Sequence, residues 1–183
     1  MRREVFMAGT GGQGVLLIGQ ILTQAALEAG LEVSWFPVYT PEVRGGSTTC
    51  TVIIADERVG SPISGAPSVV MVMDQVAADA NVARTRPGGS VLINCSLVSH
   101  VGRDDVQVVA VPASAIAADL GADQVANMVM LGAYVELTSA VTLEALEQAL
   151  KVVLPERRHH LLPLNMQALQ AGAEAVRAAS TAR

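Results

Sequence analysis

Apolar positions along the chain fall into two kinds of pattern. Residues 4–8, 69–73, 90–94 and 106–111 are short runs that are apolar on nearly every position, which predicts strands buried on both faces. Residues 31–36 read as a further strand, and 47–55 as another on its β-branched content. Between them, helical spacing predicts helices over 15–29, from the Asp74 cap to about 84, over 113–120 and over 123–137. Two more run from Thr142, in a capping turn with Glu144 and Ala145, to a stop at Pro155, and from Asn165 to about 177. Gly30 marks the end of the first helix, and Pro87-Gly88-Gly89 marks a turn. Residues 37–46 and 56–67 are rich in turn formers and read as connections, the second with room for a short hairpin. Strands alternating with helices predict a three-layer α/β/α sandwich on a mostly parallel, Rossmann-like sheet. Because 47–55 directly follows another strand, the sheet can be mixed.

Composition narrows this picture. The length, 183 residues, suits one domain spanning 1–183. Hydrophobic residues make up 51% and charged residues 16%, and mean hydropathy is +0.42. So much apolar surface excludes a disordered chain. The most apolar stretch, 15–22, is broken by Gly19 and Gln20 and is far short of the roughly 20 residues of a membrane pass. Arg2 and Arg3 followed by apolar residues mimic a signal peptide, but the run ends after Ala8 at glycines, so a cytoplasmic location is expected. A net charge of −5 argues against nucleic-acid binding, and the one basic cluster, Arg157-Arg158-His159-His160, is short. Cys50 and Cys95 stand far apart with no partner at metal-ligand spacing, so no zinc or iron–sulfur site is expected on this chain alone.

The most informative local feature is Gly9-Thr10-Gly11-Gly12-Gln13-Gly14, placed after a strand and before a helix. Gly9, Gly11 and Gly14 match G-x-G-x-x-G. Such glycines let the backbone approach a ligand, and the free amides of a helix start favour a phosphate or carboxylate. A nicotinamide site also needs an acid at the end of the second strand, and 34–37 (Ser-Trp-Phe-Pro) offers none. The glycines therefore serve either a phosphate-bearing ligand or tight packing.

Tyr39-Thr40-Pro41-Glu42-Val43-Arg44-Gly45-Gly46 should lie beside that loop at the carboxyl edge of the sheet. Arg44, between small and apolar neighbours, can meet an anion or a partner carboxylate, and Glu42 can orient it. Asn127 interrupts an apolar helix and either caps a neighbouring loop or contacts a ligand. Gly132 in the same helix marks close packing of another element. The histidines read as surface residues, and Met71, Met73, Met128, Met130 and Met166 as core. No constellation of catalytic side chains is present.

Four landmarks in order carry a resemblance. Gly9 to Val15 resembles the G-x-G-G-Q-G-V start of gamma subunits of 2-oxoacid:ferredoxin oxidoreductases. Tyr39 to Gly46 is similar to that family's Y-G-P-E-x-R-G-G loop, with Thr40 in place of Gly. Pro87-Gly88-Gly89 and Asn127 to Ala133 (N-x-x-x-L-G-A) match its later landmarks. The resemblance covers about residues 3–175. It implies a subunit that works with alpha and beta chains, and a delta chain where one is present, in the oxidative decarboxylation of a 2-oxoacid to an acyl-CoA. The 2-oxoacid is expected to be 2-oxoglutarate or a broad set. Thiamine diphosphate, magnesium and iron–sulfur clusters would sit on or between the other chains, ferredoxin would meet the complex, and no cofactor would be held by this chain alone. Residues Gly9, Gly11, Gly12, Gln13, Gly14, Glu42, Arg44, Gly45, Gly46 and Asn127 would help to hold coenzyme A. The alternative is a freestanding Rossmann-like protein that binds NAD(P) or another nucleotide.

Overall fold

The computed structural model describes residues 1–39 and 46–181. Among these residues six strands form one sheet: β1 (Arg2–Thr10), β2 (Glu32–Tyr39), β3 (Ser47–Ala55), β4 (Val69–Val72), β5 (Ser90–Asn94) and β6 (Gln107–Val111), in the order β2-β3-β1-β4-β5-β6. Strands β1, β4, β5 and β6 run parallel, while β3 is antiparallel to both β1 and β2. The sheet is mixed, as the adjacency of two strands in the sequence allowed.

Each central strand splits its apolar run between the two faces. Val5 and Met7 of β1, Met71 of β4 and Leu92 of β5 join a core with α1 (Val15–Glu28), α3 (Ala113–Asp119), α4 (Ala126–Thr138), α5 (Leu143–Val153) and α6 (Leu162–Thr181). Phe6, Ala8, Val70, Val72, Val91 and Ile93 face α2 (Gln75–Asn81) and the segment around Val98. The sandwich therefore has three layers, one much thinner than the other. Burial on both faces is why these strands are unbroken apolar runs rather than alternating ones.

Several helix ends follow their sequence signals. Asp74 accepts the Ala77 N–H at 2.8 Å and caps α2, and Thr142 caps α5 through the Ala145 N–H. Gly30, at φ +74°, follows the end of α1. Several boundaries moved, two of them with a clear cause. Strand β2 runs on to Tyr39 because it pairs with β3 along its whole length, and α6 starts at Leu162, after a 3₁₀ turn over Glu156–Leu161. Tertiary pairing overrode the turn propensity of Pro37 in the first case.

Gly132 does mark a close approach. A Cβ on it would overlap the Leu169 carbonyl, and one on Gly172 would overlap the Val129 carbonyl, so α4 and α6 cross backbone to backbone. Among the described residues no helix is long and apolar enough to cross a membrane.

Candidate functional site

The connection from β1 to α1 is only four residues long, and it is held open by side chains. Thr10 donates its backbone N–H to Gln13 Oε1 at 2.7 Å and to Asp74 Oδ2 at 3.2 Å, and its hydroxyl to Asp74 Oδ2 at 2.7 Å. Gln13 folds back because residue 9 is glycine: a Cβ there would stand 2.5 Å from Gln13 Oε1 and 3.0 Å from Met73 Cβ. Gly12 and Gly14 lie at φ +95° and +74°, a region that L side chains avoid. Gly14 is the N-cap of α1 and supplies no side-chain cap, and the first turn holds no acid. The first-turn amides therefore lack an intrahelical partner and carry the positive end of the helix dipole.

Strand β3 starts beside this loop. The Gly11 N–H donates to the Gly46 carbonyl at 2.9 Å, and Ser47 pairs with Thr10. The 40–46 connection thus ends against the glycine loop, at the carboxyl edge of β1. Thr48, two residues further on, is buried, and among the described residues its hydroxyl has no partner. That hydroxyl lies 4.0 Å from where a Cβ on Gly11 would stand. Glu42, Arg44 and Gly45 fall outside the described residues.

Asn127 approaches from the far side. It is buried in the first turn of α4, donates Nδ2 to the Gly14 carbonyl at 3.3 Å and accepts the Met128 N–H at 2.8 Å. A Cβ on Gly14 would collide with that Nδ2. Of the two readings of Asn127 from the sequence, the structure shows the one in which it secures a neighbouring loop.

Two clefts flank the brace. The first, about 280 Å³, lies outside the carboxyl ends of β4 and β5, with Gln13, Asn94, Ser114 and Asp123 among its walls. Open α/β sheets bind ligands in this position. The second, about 250 Å³, lies between the start of α1, the head of α4, and the 3₁₀ turn that leads into α6. Gly9, Gly11, Gly12, Gln13, Gly14, Gly46 and Asn127 therefore converge on one place.

Sequence reasoning missed Asn94 and Ser114. Asn94 is fully buried, donates to the Met73 carbonyl and to Ser114 Oγ, and accepts the Ser114 N–H. Its signal was a polar residue closing the apolar run of β5. The geometry also weakens the dinucleotide alternative. Strand β3 stands between β1 and β2, so the tip of β2, where a ribose-binding acid would sit, is one strand removed from the glycine loop.

Comparisons with known proteins match this arrangement. The family model described as pyruvate ferredoxin/flavodoxin oxidoreductase matches residues 4–175. The ketoisovalerate oxidoreductase subunit VorA of Methanothermobacter marburgensis is 36% identical over 93% of this chain, which spans only 36% of that protein's length. The 2-oxoglutarate synthase subunit KorC of the same organism is 34% identical, over 96% of this chain and 97% of its own. The crystal structure of a keto/oxoacid ferredoxin oxidoreductase gamma subunit from Geobacter sulfurreducens superimposes with a TM-score of 0.83 at 34% identity, covering 96% of this chain and 99% of that one. The chain therefore belongs to the pyruvate ferredoxin/flavodoxin oxidoreductase family, as a chain of its gamma-subunit type.

Proposed function

We propose that this chain is the gamma component of a cytoplasmic 2-oxoacid:ferredoxin oxidoreductase and helps to hold coenzyme A while partner chains carry out the redox chemistry. Alpha and beta chains, and a delta chain where one is present, would bring thiamine diphosphate, magnesium and the iron–sulfur clusters, and ferredoxin would take the electrons. One observation carries this reading. The Gly11–Gly46 hydrogen bond brings the end of the Arg44-bearing connection against the uncapped start of α1. Amide donors suit the phosphates of coenzyme A, and the Arg44 guanidinium would add to them.

The residues of this chain would bind and orient, not react. Gly11, Gly12 and Gly14 give the ligand access to the backbone. Gln13, with Oε1 engaged by Thr10, would offer its Nε2, and Glu42 would orient Arg44. Within the 2-oxoacids, 2-oxoglutarate is the favoured substrate of the complex. That preference is supported by the match, at 34% identity and over 96% of this chain, to a 2-oxoglutarate synthase subunit.

Arg44→Ala in the assembled complex should raise KM for coenzyme A at least tenfold while leaving assembly and KM for the 2-oxoacid unchanged. An unchanged KM for coenzyme A in a normally assembled complex refutes the contact. Recovery of the tagged chain from its host without a thiamine-binding or cluster-binding chain refutes the subunit reading.

A further inference from the structure

Strand β6 closes one side of the sheet, and its outer edge is bare. In a parallel ladder, alternate residues direct both of their backbone groups to the neighbouring strand. Gln107 donates its N–H to the Gly89 carbonyl at 2.8 Å, and the Val111 carbonyl accepts the Cys95 N–H at 2.9 Å. Gln107, Val109 and Val111 are therefore the residues that bond to β5. Val108 and Ala110 point their N–H and C=O groups away from the sheet, and among the described residues no strand pairs with them. The strand carries none of the devices that blunt an edge, since Gln107-Val108-Val109-Ala110-Val111 holds neither a charge nor a proline. Strand β2, at the opposite edge, carries Glu32 and Pro37. Beside the bare edge runs an open groove of about 380 Å³, walled by β6, by Leu137 of α4 and by Val176, Ala179 and Ser180 of α6. The charge nearest to that wall, Arg177, is already paired with Glu136 at 3.3 Å.

We propose that this edge is a two-fold interface between copies of this chain. Placed antiparallel about an axis through Val109, the edge is complementary to itself. Val108 of one copy lies opposite Ala110 of the other, and each such pair exchanges both of its N–H···O bonds. The two symmetry-related pairs satisfy every outward group of Val108 and Ala110 on both copies. A two-fold register one residue to either side opposes Val108 to Val108 or Ala110 to Ala110 and leaves part of the row to residues outside the strand. In the favoured register Val109 faces its own copy across the axis and Gln107 faces Val111, so no like charges are opposed. Since the axis stands across the sheet, the grooves of the two copies meet on one face, where Leu137 and Ala179 are covered and add apolar burial to the strand pairing. The sheets join into one continuous sheet, and the bare edge disappears. The inference goes beyond the coenzyme A reading and does not rest on it, because β6 lies three strands from β1 and is tested on this chain alone.

Sedimentation velocity of the full chain at 100 µM should show a species of twice 19.0 kDa that dissociates on dilution. Amide hydrogen exchange at Val108 and Ala110 should be at least tenfold slower in the concentrated chain than in the dilute one. Ala110→Pro removes an outward N–H that nothing in the single chain uses, at an exposed position. It should raise the dissociation constant at least tenfold and leave circular dichroism and the urea midpoint of the monomer unchanged. If that variant does not fold, Ala110→Lys, which keeps the N–H and puts a charge on the edge, takes its place with the same expectation. A chain that stays at 19.0 kDa at 1 mM overturns the inference. So does a dimer whose Val108 and Ala110 amides exchange as fast as in the dilute chain, or one indifferent to the substitution. Protection of those amides only when other chains of the complex are added assigns the edge to a foreign strand and overturns it as well.

Discussion

Gly14→Ala tests the brace between the glycine loop and α4, and its cost has two separable parts. The first is conformational. Gly14 sits at φ +74°, and a left-handed alanine costs about 1–2 kcal/mol. The second is steric. The new Cβ would collide with Asn127 Nδ2, and Asn127 is fixed by its bonds to the Gly14 carbonyl and the Met128 N–H. Overpacking of this kind costs about 1–3 kcal/mol. The single substitution should therefore lose roughly 2–5 kcal/mol. Asn127→Ala removes one hydrogen bond to the Gly14 carbonyl, which keeps the Ile18 N–H, and leaves the Met128 N–H without its acceptor, for a loss of about 1–3 kcal/mol. In the double variant the collision is gone and only the backbone part of the Gly14 cost remains. The two losses should then fall short of additivity by about 1–3 kcal/mol. Urea unfolding of the four proteins, followed by circular dichroism, measures this directly. Additivity within about 0.5 kcal/mol would mean that the two residues do not touch, and the brace would have to be abandoned.

Gly132→Ala should be among the most damaging helix substitutions. The gain of about 1 kcal/mol in helix propensity is outweighed by forcing α4 from the Leu169 carbonyl, for a net loss of about 2 kcal/mol in the urea midpoint analysis. The cysteines should differ in reactivity: a thiol reagent at pH 8 should modify exposed Cys95 alone, and Cys50 only after unfolding, and two fast thiols would contradict the buried placement. Stability should fall at high pH. Burial lifts the Cys50 thiol from 9.0 to about 12 and the Tyr134 hydroxyl from 10.0 to about 12. The unfolded chain therefore releases these protons first, and stability falls as pH rises through that window, by about 1.4 kcal/mol per pH unit per group. Cys50→Ala should remove the decline between pH 9 and 10, and an unchanged decline would place its origin elsewhere.

Much of the fold was legible because its signals are local. The runs at Val5–Ala8 and Val69–Val72 are apolar on every position, and only a strand covered on both faces has use for that pattern. Asp74, Thr142 and Gly30 announce helix ends through bonds within three residues or through a single backbone angle. The end of β2 was not legible, since Pro37, Val38 and Tyr39 are held there by pairing with Cys50, Thr49 and Thr48 of β3, across the intervening loop. The start of α6 was missed for a related reason. The Glu156–Leu161 turn feeds directly into the helix, and Pro163 stands in its first turn, where the missing N–H costs nothing.

The same division runs through the candidate site. The glycine loop could be read because the chain must turn sharply between a buried strand and a buried helix, and only glycine meets that demand at Gly12 and Gly14. What the loop leans on could not be read. Asp74 lies 64 residues from Thr10 and Asn127 lies 113 from Gly14, and each was recognisable alone only as a helix cap or a misplaced polar residue. The second cleft was hidden more deeply. Arg158 looked like part of a short basic cluster and Asn165 like the start of a helix, and neither carries a motif. They line one cleft with Gly12 and Gly14 because the 3₁₀ turn places them there. Asn127 lines both clefts. Its Nδ2 also holds the Gly14 carbonyl, so the wall common to the two cavities is the contact that fixes the four-residue turn.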